Sequence, residues 1–110
     1  MTLTEFEDSV IQLELEANKV LYSKMSDYSN GDDTFSNFKE LAEDCNISHF
    51  KVWLVYFMKH IQAIKSFIVD GSLESESLEG RIIDSINYLK ILNGMFIEHN
   101  KDVDLEDSEW

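Results

Sequence analysis

A chain of 110 residues holds one domain, long enough to close a hydrophobic core without disulfides or a metal. With 9 Lys and Arg against 22 Asp and Glu, its formal charge is −13. That excludes direct binding to a nucleic-acid backbone, where affinity comes from Lys and Arg neutralising phosphates.

There is no proline and there are four glycines, so long helices joined by short turns are expected. The single cysteine, Cys45, forms no internal disulfide and reads as a small buried apolar residue. The opening MTLTEFEDSV has neither the basic region nor the apolar core of a signal peptide. No apolar run reaches about 18 residues, so no membrane span and a reducing cytoplasm are expected.

The first helix is read as opening at Thr4, with Glu7 completing a capping box. Phe6, Val10, Leu13, Ala17, Val20 and Leu21 follow at steps of three or four, one apolar stripe on a helix of roughly 20 residues. Residues 27–34 then read as an acidic loop containing an Asn30-Gly31 turn. Its Asp27, Asp32 and Asp33 are cation ligands by type, but their spacing excludes the twelve-residue calcium loop, and turn or cap duty is the other reading. Thr34 or Asp33 can cap a short second helix carrying Phe35, Phe38, Leu41 and Ala42 and ending at Asn46.

Ser48 caps a third helix over 49–70, closed by Gly71. Its first half, Val52 to Met58, is apolar all round. Such a helix must be covered on every side, and a homo-oligomer is expected to supply part of the cover. After a Ser/Glu connector, a fourth helix runs from near Ser75 to about residue 98. Leu78, Ile82, Ile86, Leu89, Asn93 and Phe96 read as its inner stripe, with Ile83 and Leu92 beside it. Residues 1–99 form the helical domain and 100–110 an acidic tail too charged to pack. The fold class is all-α: an antiparallel bundle of three long helices and one short one.

On the fourth helix Arg81, Asp84 and Tyr88 share a face, with Glu76, Glu79 and Asn87 in an adjacent row. A solvated flank with an Arg81–Asp84 ion pair is one reading. The other is carboxylates for Mg2+, an arginine for phosphate and an aromatic or amide for a base. On the third helix His60 shares the face of Trp53, Phe57 and Ile64 and reads as a satisfied core histidine, while Lys59 could reach a phosphate as a point charge. There is no phosphate-binding glycine loop, no paired Cys/His zinc spacing and no strained-turn nucleophile serine.

Several segments together resemble a known family. Lys24-x-x-Asp27-Tyr28, then Asp32-Asp33-x-Phe35-x-Asn37-Phe38, then Lys59-His60-Ile61 and Glu76-x-x-Glu79-x-Arg81-x-x-Asp84-x-x-Asn87-Tyr88 resemble the phage nucleotide modification associated domain family. More remotely they resemble the all-α nucleotide pyrophosphohydrolases of the MazG and dUTPase type. The resemblance covers roughly residues 20–98.

It implies a MazG-like, usually oligomeric bundle, with acidic residues on two helices holding Mg2+ for cleavage of a nucleoside triphosphate between its α and β phosphates. Glu40-x-x-Glu43 matches the first acidic pair; the second departs, since Glu76-x-x-Glu79 replaces E-x-x-D and Asp84 stands five residues after Glu79. By this resemblance Glu79 and Asp84 would be catalytic. Glu40, Glu43, Glu76, Glu79 and Asp84 would be metal ligands. Lys24, Lys59 and Arg81 would contact phosphate, Asn87 and Tyr88 the base, and Asp27, Tyr28 and Asn37 would complete the nucleotide site. A metal-bound water would attack phosphorus.

Three functions follow as expectations: a Mg2+-dependent nucleotide hydrolase; a non-catalytic sponge holding a nucleotide immune signal in the same pocket; and, from the charge, an acidic DNA mimic or inhibitor acting on a basic host protein. The phage resemblance places all three in the cytoplasm of an infected bacterium.

Overall fold

The structure, a computed structural model, describes residues 1–28, 33–71 and 77–102, without the side chains of Asp27, Tyr28 and Asp102. It is all-helical: α1 (Leu3–Tyr28), α2 (Ser36–Cys45), α3 (His49–Asp70) and α4 (Leu78–Asp102). Asp32 and Glu76, and the tail beyond Asp102, lie outside the described residues.

Local chemistry sets most of the boundaries. Ser48 Oγ accepts a hydrogen bond from the Phe50 N–H at 3.1 Å to start α3, and Gly71, at φ 80°, closes it. Asn46 ends α2 in the left-handed region at φ 56°, a conformation asparagine tolerates better than most residues. Asp33 Oδ1 accepts from the Phe35 N–H at 3.0 Å and turns the chain into α2.

The first helix corrects the sequence reading. Its capping box is Thr2 with Glu5, each accepting from the other's N–H at 3.1 and 3.3 Å, rather than Thr4 with Glu7. The helix runs 26 residues, taking Asp27 and Tyr28 out of the expected loop. Likewise α4 continues past Asn100 to Asp102.

Neighbouring long helices run antiparallel. On α1, Glu14 and Asn18 receive Lys90 of α4, the Ala17 carbonyl receives Asn87, and Lys24 reaches Asp84. On α3, Phe50 meets His99, Trp53 the Tyr88 carbonyl and His60 Arg81. The core gathers Phe38 and Ala42 of α2, Phe50, Val52 and Trp53 of α3, and Met95 of α4. Thus α4 lies between α1 and α3, and α2 packs on α3 while reaching α4 through Phe35 and Lys39.

The inner stripe expected for α4 holds only in its first half, where Leu78, Ile82 and Ile86 are half-buried. Ile83, Ser85, Asn87 and Met95 are its buried residues, whereas Leu89 and Phe96 are 51% and 43% exposed and Asn93 is exposed. Cys45 is also exposed rather than buried, because it ends α2 at the surface. The helix α3 is long and apolar enough to cross a membrane by length and composition, the one such helix among the described residues, though Lys51, Lys59 and Lys65 interrupt its apolar run.

Gly94 is where α2 presses onto α4. A Cβ there would lie 2.8 Å from Phe35 Cζ. Gly94→Val is therefore expected to lower stability by about 2 kcal/mol in urea unfolding, because overpacking outweighs any gain in helix propensity.

Lys39 of α2 ties this corner together, 2.9 Å from Asp33 Oδ2 and 2.7 Å from Glu98 Oε1. Burial alone would lower the Lys39 ammonium, but the hydrogen bonds with Glu98 and Asp33 outweigh it and raise it. The hydrogen bond from Lys39 holds the Asp33 carboxyl below its usual range. Nearby, burial pushes the His49 imidazole down, with the Lys39 charge adding to it. A histidine kept neutral by folding stabilises nothing above its ordinary pKa of 6.5 and resists the proton below it. The unfolded chain then binds more protons, so stability falls as pH drops through that value. His49→Gln should flatten the stability curve between about pH 7 and 5, measured by denaturant midpoint.

Candidate functional site

All three long helices and the start of α2 open onto one cavity of about 400 Å3, a size that suits a small-molecule ligand. From α1 come Leu21, Lys24 and Met25; from the α2 region Thr34, Asn37 and Phe38; from α3 Tyr56 and His60; from α4 Asp84, Asn87, Tyr88 and Ile91. Each helix contributes residues spaced three or four apart, the condition for sharing a face.

One wall is aromatic. Tyr56 and Tyr88 lie with ring centroids 6.5 Å apart at 29°, and Phe38 presents an edge to both at 6.3 Å. His60 tilts against Tyr88 at 5.0 Å. Lys59 sits over the outer side of this group, its Nζ 5.4 Å from the Tyr56 centroid. Edge and offset contacts of this kind leave ring faces able to stack on a planar ligand.

The opposite end is charged. Lys24 Nζ stands 3.0 Å from Asp84 Oδ1, and His60 Nδ1 is 3.9 Å from Asp84 Oδ2. Arg81 Nη1 lies 3.2 Å from the same His60 nitrogen. Since a guanidinium only donates, that contact makes Nδ1 the acceptor and leaves the proton of a neutral ring on Nε2. Two fixed cations and one carboxylate thus meet around the imidazole.

Between the two ends lies Asn87, 5% exposed. Its Nδ2 donates to the Ala17 carbonyl at 2.9 Å, which fixes which way the amide points, since a flipped amide would set oxygen against oxygen. Its Oδ1 is buried and has no hydrogen-bond partner among the described residues. An acceptor left so costs about 1–3 kcal/mol. Asn87 lines the cavity, but this oxygen is covered from it, so a ligand's N–H or O–H would reach it only once the wall shifts.

Of the residues singled out from the sequence, Lys24, Asn37, Asp84, Asn87 and Tyr88 meet in this cavity, and Arg81 adjoins it through His60. Lys59, Glu40, Glu43 and Glu79 are exposed and do not line it. The side chains of Asp27 and Tyr28, and all of Glu76, lie outside the described residues.

The described residues do not assemble the expected Mg2+ centre, and Glu76, one of its expected ligands, lies outside them. Among the described residues no three or more His, Cys, Asp or Glu side chains gather where a metal could sit, and the one carboxylate in the cavity wall is already paired with Lys24.

Of the cavity's polar side chains, Tyr56 is not singled out by the sequence reading, and His60 is read there as a core histidine. Their i, i+4 spacing on α3 was visible, but nothing local distinguishes a cavity-lining face from a core face.

No family model, no curated protein and no solved structure matches this chain.

Proposed function

We propose that this protein binds the base-bearing half of a nucleotide in the cavity among its helices and holds it without cleaving it. The observation that carries this reading is the oriented, unpartnered Asn87 Oδ1 between a tyrosine-lined wall and a cationic mouth. Tyr56, Tyr88 and Phe38 would stack the base, Asn87 would accept one of its N–H groups, with Asn37 alongside, and Lys24, Arg81 and His60 would face the phosphate. The motif resemblance, with the MazG-like arrangement it implies, points to the same ligand class and shares Lys24, Asn37, Arg81, Asn87 and Tyr88 with this site. Holding rather than hydrolysing is favoured because Mg2+-assisted attack needs carboxylates converging on one ion, and the described carboxylates do not converge.

Titration calorimetry against nucleosides, linear nucleotides and cyclic nucleotides, with and without Mg2+, tests this. Binding without product is expected. Release of pyrophosphate or phosphate would replace the sponge with the hydrolase, and no heat from any of these ligands would remove both. The Asn87 contact has its own check on the ligand side. Adenosine should bind about tenfold more tightly than the purine nucleoside lacking the amino group, because that analogue leaves the buried oxygen unsatisfied.

A further inference from the structure

Two apolar seams have no partner among the described residues, and their charges are opposite. The first is on α1. Leu3, Phe6, Val10, Leu13 and Ala17 recur at steps of three, four, three and four, the repeat of a coiled-coil seam. Its lower half is covered: Ala17 is fully buried against α4. Its upper half is bare, with Leu3 71%, Phe6 53% and Val10 47% exposed. The first 17 residues carry Glu5, Glu7, Asp8, Glu14 and Glu16 and no Lys or Arg.

The second seam is on α3. Lys51, Leu54, Met58, Ile61, Lys65 and Ile68 follow at steps of three, four, three, four and three, and every one is exposed. Between His49 and Val69 the helix has three lysines and no acid. Trp53 and Phe57 fill the opposite, inward side, stacked 4.8 Å apart.

Residues 3–12 of α1 are all exposed, and a helix with so long an uncovered start is marginal alone in water. Seven large apolar side chains left in two seam-spaced rows need a cover.

We propose that this cover is a second copy of the chain, with the upper half of α1 of each copy lying in the α3 seam of the other. Charge decides between occupants. Pairing α3 with α3 would bring lysines of both copies into one seam, and pairing α1 with α1 would bring acids together. Only α1 on α3 sets acids against lysines, with Glu7, beside Phe6 and Val10, facing Lys65. Each of the seven side chains still shows on the order of 100 Å2, so two reciprocal contacts would hide up to about 1,400 Å2, within the range of specific interfaces. Made reciprocally, the two contacts are related by a two-fold axis and close the assembly at a dimer. This inference is independent of the nucleotide reading.

Sedimentation velocity on the full chain should give twice 12.8 kDa, with self-association weakening as salt rises. Glu7→Lys and Lys65→Glu change exposed residues and should leave the helical circular dichroism unchanged. Each alone should weaken the dimer about tenfold by setting like charges face to face in both contacts. Mixed in equal amounts, the two variants should recover full affinity as a heterodimer, because one contact is then wild type and the other charge-reversed. A monomer at every concentration, a dimer that neither substitution weakens, or a mixture that fails to recover would each overturn the proposal. So would flotation of the chain with uncharged phosphatidylcholine vesicles, which would make a bilayer the cover of α3.

Discussion

Replacing Trp53 with alanine is expected to destabilise the domain by about 3–5 kcal/mol. For a chain with a stability of about 5–15 kcal/mol, that is enough to leave much of it unfolded near physiological temperature. Trp53 is 6% exposed in the centre of the core, stacks on Phe57, and donates from Nε1 to the Tyr88 carbonyl at 2.7 Å. It is thus both the largest core side chain of α3 and the hydrogen bond that sets the α3–α4 register. Trp53→Phe separates the two roles. Phenylalanine keeps most of the packing and gives up the bond, so a loss of about 1–2 kcal/mol is expected, the Tyr88 carbonyl keeping its own helical geometry. Urea unfolding followed by far-UV circular dichroism measures both. Equal losses for the two variants would mean that the indole N–H, not the volume, holds the helices together. Because Tyr88 also lines the cavity, Trp53→Ala should weaken ligand binding along with the fold.

The helices were legible because their ends are written in local chemistry. Ser48, Gly71 and Asn46 each act within a turn of themselves, so spacing alone places them. Which face of α4 is inward was legible only in its first half. Periodicity selects the most apolar row, Leu78 to Phe96, but α4 is enclosed from several sides. Its buried row, Ile83, Asn87 and Met95, includes an amide that hydropathy scores as surface. The apolar residues Leu89 and Phe96 were assigned inward for the same reason and are half out in solvent.

The site divides along similar lines. Arg81, Asp84, Asn87 and Tyr88 sit within two turns of one helix, so a face can be drawn through them from sequence. Lys24 stands 60 residues from Asp84, and His60 21 from Arg81. Such meetings depend on how helices cross, which no pattern within one helix contains. The acidic pair Glu40 and Glu43 shows the converse. Its spacing is right for two carboxylates on one face, but the short helix α2 turns Phe38 and Ala42 inward, and both acids are left exposed.

Asp84→Asn is expected to tighten the binding of a phosphorylated ligand, and the direction of the change separates the two nucleotide readings. In the native site the Asp84 carboxylate is 16% exposed and lies 3.0 Å from Lys24 and 3.9 Å from His60, with Arg81 reaching the same histidine. It stands where a phosphate facing these cations would approach, and it both repels that anion and occupies Lys24. The amide removes the charge while keeping the shape. About a tenfold gain in affinity for a nucleoside monophosphate is expected at low salt, shrinking as salt rises, with the unphosphorylated nucleoside bound as before. Loss of the ion pair should cost the fold no more than about 1 kcal/mol, since Lys24 is half in solvent. Were Asp84 instead the anchor of a Mg2+ ion, the same substitution would abolish any Mg2+-dependent gain in nucleotide affinity, along with any turnover, because an amide oxygen is a far weaker partner for a hard dication than a carboxylate. Titrating the phosphorylated and unphosphorylated ligands into Asp84→Asn, with and without Mg2+, therefore reads the role of this residue from the sign of one ratio.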